Sequence, residues 1–231
     1  MITELGAGCW QLHCRGVNAY LVDDDGVLTM VDTGTPVDTG RLRDGLEQLS
    51  FEMSQVERIL LTHFDIDHVG NVATVLAESG GTCYVGAGDG GFLMGRERPP
   101  LLNRKGLFQR LTAPFVDAVT ERIELVADRD RIGSFVAHHT PGHTPGHLSF
   151  VSEELGVAFV GDLVREHAGS IEPSPWLLSY DTSMVTSSIV RLADREPRVE
   201  TVAMGHGAPF TEGGSRQLAD LSERVGGRLD A

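Results

Sequence analysis

The chain has 231 residues, of which 41% are hydrophobic and 23% charged, so it is long enough to bury a sizeable core. This composition excludes collagen-like and disordered chains, and no apolar run reaches the length of a membrane-spanning helix. With 19 basic and 33 acidic residues, the formal net charge is −14, which disfavours nucleic acid and anionic membranes as partners. We expect a soluble globular protein whose partner is a small molecule.

The first residues lack the basic region, apolar core and small-residue cleavage site of a signal peptide, so we expect a cytoplasmic location. No repeat or Ser/Gly-rich linker divides the sequence, which favours a single domain over residues 1–231. No heptad pattern indicates a homo-oligomer, and the sequence leaves the assembly state open.

The first half of the chain alternates strand and helix patterns. Apolar residues at 17–22 and 27–31 flank an acidic turn and predict a β-hairpin. Leucines at helical spacing follow Asp38 and Thr39, either of which can cap a helix. The next predicted elements are a strand at 56–61, a helix at 69–77, a strand at 82–85 and a weak helix at 87–94. This alternation favours a layered α/β fold.

Residues 95–118 interrupt the alternation and form a possible lid insertion. The segment is locally basic and contains Lys105, the only lysine of the chain. Leu107, Phe108 and Leu111 make part of it amphipathic. A solvated surface helix and a lid that faces the substrate both fit this pattern.

The second half of the chain is richer in strands. Strands are predicted at 122–126, 134–139, 148–151, 157–160 and 201–204, with helices at 184–193 and from Gly214 onward. Polar residues of the types that bind metals recur where these apolar strands end.

The densest chemical signal is a loop with four imidazole or carboxylate groups within six positions, directly after the strand at 56–61. These groups belong to His63, Asp65, Asp67 and His68. Crowded carboxylates and imidazoles repel one another or take up protons unless a cation neutralises them. Further candidates at strand ends are His143, Asp162 and His206. Together these side chains supply enough donors for two adjacent metals with one bridging carboxylate.

This pattern resembles the metallo-β-lactamase superfamily, whose members place an H-x-[H/E/D]-x-D-H loop after a strand and single His, Asp and His ligands downstream. Supporting fragments lie at 31–34, 140–147, 160–162 and 205–207. The resemblance covers nearly the whole chain. It implies an α/β fold, a four-layer αββα sandwich, with the metals at one edge.

The resemblance also implies a ligand set. One metal would be held by His63, Asp65 and His143, the other by Asp67, His68 and His206, with Asp162 as the bridge between them. Asp32, in an Asp-Thr-Gly sequence that lies near the metals in this family, would orient the ligand loop.

Asp65 departs from the commonest pattern, because the loop reads HxDxDH in place of HxHxDH. Aspartate is short and reaches a metal through one oxygen or through water. A third carboxylate also makes the site less positive, which weakens anion binding. We expect two divalent metal ions, with zinc as the first candidate and iron or manganese as alternatives that an oxygen ligand favours.

The implied activity is hydrolysis of a small-molecule ester, lactone or thioester by a metal-bridging hydroxide. Asp67 would either orient the hydroxide and move a proton, or serve as a ligand only. Asp162 stands where common penicillin-hydrolysing members have cysteine, which disfavours antibiotic hydrolysis. The alternatives are an iron-dependent redox enzyme of the diiron or persulfide-dioxygenase kind, and a catalytically weak metal-binding protein.

Two further residues are candidates for substrate contact. Arg165 either meets a substrate carboxylate or forms a surface salt bridge. Trp176 either joins residues 101–115 in an apolar wall over the metals or packs in the core. Such a wall would favour a substrate with an acyl or aromatic portion.

Overall fold

The structure is a computed structural model that describes residues 2–6, 8–195 and 197–227. Its strands are β1 (Ile2–Gly6), β2 (Cys9–His13), β3 (Asn18–Asp24), β4 (Val27–Val31), β5 (Arg58–Leu61), β6 (Thr82–Gly86), β7 (Ile123–Val126), β8 (Arg131–Ile132), β9 (Phe135–His139), β10 (Leu148–Ser152), β11 (Val157–Gly161), β12 (Val164–His167), β13 (Ser170–Pro173) and β14 (Thr201–Met204). Its helices are α1 (Thr39–Gln48), α2 (Ile66–Val69), α3 (Val72–Ser79), α4 (Ala87–Leu93), α5 (Arg104–Thr112), α6 (Thr182–Ala193) and α7 (Gly214–Gly226). Short 3₁₀ turns lie at Met53–Gln55, Ala113–Phe115 and Trp176–Leu178.

The strands form two large sheets. The first has the order β1-β2-β3-β4-β5-β6-β7, antiparallel from β1 to β4 and parallel from β4 to β7. The second has the order β14-β11-β10-β9-β8, with β14 parallel to β11. A separate hairpin pairs β12 with β13. Parallel strands such as β5 read as continuous apolar runs because both of their faces are covered.

Alternate side chains of one strand enter different apolar layers. In β3, Leu21 packs in the cluster that contains the buried side chains of α1 and α3, whereas Tyr20 faces the second sheet. In β11, Phe159 faces the first sheet, whereas Val160 packs with α6 and α7. The two sheets therefore lie face to face with helices outside both, which is the predicted four-layer αββα sandwich.

Most of the predicted elements are confirmed with small changes of boundary. The hairpin is β3 with β4, the helix that follows Asp38 is α1, and the strand before the ligand loop is β5. Among the described residues, no helix has the length and apolarity that a membrane span requires.

The predicted helix at 69–77 is wrong in its bounds. Helical structure begins at Ile66, within the ligand loop, as the single turn α2, and α3 starts only at Val72. The Asp65 carbonyl closes the turn by accepting hydrogen bonds from the amides of His68 and Val69, both at 2.9 Å. Asp67 and His68 thus stand on a helical turn, although the sequence pattern places them in a loop.

Candidate metal centre

Four chain segments meet at one edge of the sandwich and carry the motif residues. His63 and Asp65 follow β5, His143 lies between β9 and β10, Asp162 follows β11, and His206 follows β14. In one group the ligand-type atoms lie within 4.8 Å of one another, and its members are His63, Asp65, His143 and Asp162. A second group obeys the same limit and consists of Asp67, His68 and His206. The structure brings all seven predicted side chains together.

The first group is buried. Asp65 Oδ2 lies 3.2 Å from His63 Nε2 and 3.0 Å from His143 Nε2. These separations are those of hydrogen bonds, and they are close to the distance of about 3.4 Å between two donors bound to one tetrahedral zinc ion.

Asp162 lies between the two groups. Its Oδ2 is 3.6 Å from His143 Nε2 and 3.3 Å from His206 Nε2, and its Oδ1 is 3.5 Å from His68 Nε2. Within the described part of the chain, His68 Nε2 and Asp162 Oδ1 are buried and have no hydrogen-bond partner. Buried polar atoms without partners are costly, and a cation between them removes that cost. These residues therefore fit divalent metal ions.

The second group opens to solvent. The side chains of Asp67 and His206 are 30% and 34% exposed, and Asp67 Oδ2 lies 3.4 Å from His206 Nε2. Burial lowers the pKa of both histidines of this group, but the surrounding carboxylates, Asp162 foremost for His206 and Asp32 for His68, raise it to about 11 and about 9. The surrounding carboxylates thus favour the positively charged form of these two imidazoles.

Asp32 fixes the orientation of His68. Its Oδ2 lies 2.8 Å from His68 Nδ1, and its two oxygens accept hydrogen bonds from the Thr62 amide at 2.8 Å and the Thr62 hydroxyl at 2.7 Å. With Nδ1 engaged, the free Nε2 of His68 faces Asp162. This is the position that the resemblance implies for Asp32.

Asp89, on α4, is a site residue that the sequence patterns do not indicate. Its carboxylate accepts hydrogen bonds from the amides of Phe64 at 2.9 Å and Gly146 at 2.7 Å, and from the Thr144 hydroxyl at 2.6 Å. It ties the loop of His63 to the loop of His143, and burial raises the pKa of this carboxyl. A lone acid in a weak helix gives no sequence signal for this role.

Lys105 and Gln109, on α5, are also missed by the patterns. Both are buried; the Lys105 ammonium contacts Asp65 Oδ2, and Gln109 Nε2 donates to Asp65 Oδ1 at 2.8 Å. The Tyr180 hydroxyl in turn donates to Gln109 Oε1. Burial raises the pKa of Asp65, but Lys105 and the neighbouring imidazoles hold it well below its usual range. The available signal was a single lysine in an otherwise lysine-free chain.

The fold and these contacts agree with an independent comparison of sequences. The sequence model of the Metallo-beta-lactamase superfamily matches residues 13–206. The chain belongs to the metallo-β-lactamase superfamily.

Two bacterial proteins are among the relatives that the chain is similar to. "Probable metallo-hydrolase YflN" of Bacillus subtilis is 26% identical over 244 residues, covering 95% of this chain and 90% of the relative. "Hydroxyacylglutathione hydrolase GloC" of Haemophilus influenzae is 28% identical over 191 residues, covering 83% of this chain and 85% of the relative.

Solved metallo-β-lactamase structures share the fold. The family protein TTHA1429 from Thermus thermophilus superposes with a TM-score of 0.73 at 22% identity, covering 98% of this chain and 82% of the other. TTHA1623, solved in a di-iron-bound form, has a TM-score of 0.67 at 25% identity, covering 89% and 93%.

The two candidate substrate residues differ in their surroundings. Arg165 Nη2 is 3.4 Å from Glu172 Oε2, and Arg165 also lines a cavity of about 270 Å³ together with Asp162 and His206. Trp176 is 62% exposed, with the Arg104 guanidinium 3.8 Å above its ring. The core-packing interpretation of Trp176 is therefore wrong.

Proposed function

We propose that this protein is a metal-dependent hydrolase of a small-molecule ester, lactone or thioester. The observation that carries the proposal is the position of Asp162, whose oxygens face histidines of both ligand groups. A carboxylate shared in this way suits two adjacent divalent cations, for which zinc is the first candidate and iron or manganese the alternatives. When bound, such cations supply a hydroxide nucleophile at neutral pH and polarise a carbonyl oxygen.

The protein's own residues would bind the cations and transfer a proton. The first cation would be held by His63, Asp65 and His143, the second by Asp67, His68 and His206, and both by Asp162. Asp67 is the carboxylate of this set that solvent reaches most readily. We assign to Asp67 the relay of a proton, in which the carboxylate would take up the proton that the nucleophile loses and pass it to the leaving group, in addition to a ligand role.

The surroundings support a substrate with an apolar acyl part. The cavity beside Asp162 and His206 is lined in part by Val164, Pro175 and Leu178. Arg165 lies at the same cavity and its side chain is 39% exposed, which supports contact with a substrate carboxylate. The relative named as a hydroxyacylglutathione hydrolase supports a thioester among the candidate bonds.

In this proposal, residues 95–118 act as a lid over the metal centre. Their helix α5 places Lys105 and Gln109 against Asp65. The proposal further comprises a single domain in the cytoplasm that acts on a small molecule rather than on nucleic acid.

The test is a panel of p-nitrophenyl esters, lactones and glutathione thioesters, assayed with added zinc, manganese or iron. We expect turnover of at least one class that depends on added metal and is lost in Asp162→Ala. No turnover by protein that carries a full metal complement contradicts the proposal. Oxygen consumption with a thiol or persulfide would instead support the redox alternative.

A further inference from the structure

Helix α5 buries two of its polar side chains and exposes its three large apolar ones. Lys105 and Gln109 are buried, whereas Leu107, Phe108 and Leu111 are exposed. A surface helix ordinarily turns its apolar side chains inward. The inverted orientation of α5 places an ammonium and an amide on Asp65, the ligand that departs from the commonest family pattern.

The two ligand groups consequently differ in how many of their polar atoms have a hydrogen-bond partner within the protein. Both oxygens of Asp65 have partners, because Gln109 donates to Oδ1 and the Lys105 ammonium shares Oδ2 with His63 and His143. The second nitrogens of these histidines are also engaged, 2.9 Å from Thr62 Oγ1 and 2.8 Å from Ser174 Oγ.

The opposite is true where the second group meets Asp162. There His68 Nε2 and Asp162 Oδ1 lack partners within the described part of the chain. A cation entering between these atoms gains new contacts. A cation that enters the first group must instead displace the Lys105 ammonium from Asp65 or share that carboxylate with it. Such a cation also lies close to the positive charge of Lys105.

We propose that Lys105 makes the two metal positions unequal, so that the Asp67–His68–His206 position binds its metal tightly and the His63–Asp65–His143 position binds its metal weakly. The proposal rests on the proposed function, which places metals at these two groups. Lys105 is then a positioning residue that sets the occupancy of the first position through Asp65. The ammonium also offsets the extra carboxylate, so the site is more positive than the motif alone indicates.

The test is a zinc titration against a chromophoric chelator, with bound zinc counted by elemental analysis. For the wild-type chain we expect one tight equivalent and a second that binds at least about tenfold more weakly, as expected for a nearby like charge. Lys105→Met should bind both equivalents tightly. Arg104→Met is the matched control, since it removes a neighbouring positive charge on α5 that contacts Trp176 rather than Asp65, and it should titrate like the wild type.

Two histidine variants show which metal position each step of the zinc titration belongs to. His206→Ala should remove the tight equivalent, whereas His143→Ala should remove the weak one and leave the tight one. Equal affinity of both equivalents in the wild type overturns the inequality, and an unchanged second step in Lys105→Met overturns the role of Lys105 as its cause. Neither outcome overturns the proposed function. No uptake of zinc, manganese or iron by the wild type in either step overturns the inequality and the proposed function together.

Thermal unfolding of the metal-free protein is a second readout if Lys105→Met folds poorly. Asp65→His alone leaves the ammonium buried against imidazoles, so we expect a lower Tm than in Asp65→His/Lys105→Met, where that charge is also removed. A double variant that melts at or below the Asp65→His variant contradicts the role given to Lys105.

Discussion

The three carboxylates of the candidate centre differ in what surrounds them. Asp65 is enclosed by donors, Asp162 is shared between two groups, and Asp67 is partly exposed and faces His206. The sequence places all three in one ligand set, but it does not distinguish their environments. The exposed one is the best placed to exchange a proton with a bound substrate.

Asp67→Ala tests this role directly. We expect kcat/KM to fall by roughly 10²–10⁴-fold, the usual contribution of a positioned acid–base group. Metal content measured on the same sample separates the two roles of Asp67, because loss of a ligand alone lowers zinc occupancy together with the rate. A variant that keeps wild-type activity excludes Asp67 from both roles.

Asp89→Ala tests the link between the two ligand loops. The change leaves the buried amides of Phe64 and Gly146 without their acceptor, so we expect a loss of about 2–4 kcal/mol in the free energy of unfolding. Urea denaturation measures the loss. Asp44→Ala, at an exposed position of α1, is the control and should change stability by no more than about 0.5 kcal/mol. A similar small effect in Asp89→Ala would show that the loops do not depend on it.

At the level of elements, the sequence predicts the core strands better than the peripheral ones. Strands β3, β4, β5 and β11 are built around apolar runs and are confirmed. The patterns do not predict β1 and β2, because β1 is a largely exposed edge strand whose side chains carry little apolar signal. They also miss the hairpin of β12 and β13, whose polar, partly exposed residues resemble a loop.

The clustering of the seven candidate side chains could be predicted from the sequence, because such residue types are rare at this spacing and match the pattern of the superfamily. The contacts that Asp89, Lys105 and Gln109 make with the site could not be predicted, because each joins residues that lie more than 20 positions apart in the sequence. Side chains that act through tertiary contact alone leave no local pattern. The orientation of α5 was likewise hidden, because its outward apolar side chains suggest a helix packed the other way round.

The position of α5 depends on its N-terminal cap. Asn103 Oδ1 accepts hydrogen bonds from the amides of Lys105 at 3.0 Å and Gly106 at 3.2 Å. Asn103→Ala should therefore cost about 1 kcal/mol locally and speed hydrogen exchange across residues 104–112. Asp181→Ala removes the corresponding cap of α6 and should speed exchange in that helix instead. Unchanged exchange in α5 of the Asn103 variant would contradict this account of the helix.

On the scale of the whole molecule, the two sheets hold in place the loops that carry the candidate metal ligands. Tyr20 and Phe159 meet between the sheets with ring centroids 5.0 Å apart, and Tyr20 also donates to the carbonyl of Met204, just before His206. The packing between the sheets is thus connected to the position of a candidate ligand.

The stability of the whole fold should depend on the protonation of His138. Burial, reinforced by the Arg195 guanidinium, lowers the pKa of His138 from its ordinary value of 6.5 to about 4 in the folded protein. The unfolded chain then binds more protons between these values, so the stabilisation is present above about pH 6.5 and is lost as the pH falls toward 4. Urea denaturation across this range should show a shallower loss of stability in His138→Gln than in the wild type. Parallel profiles for the two proteins would refute the assignment.

The central claim is that two cations flank Asp162. Anomalous diffraction at the zinc absorption edge, from crystals grown with excess zinc, tests it most directly. We predict two peaks, each about 2.0–2.2 Å from a carboxylate oxygen of Asp162, one beside His63 and His143 and the other beside His68 and His206. Peaks confined to other parts of the surface, or no peak next to Asp162, would contradict it.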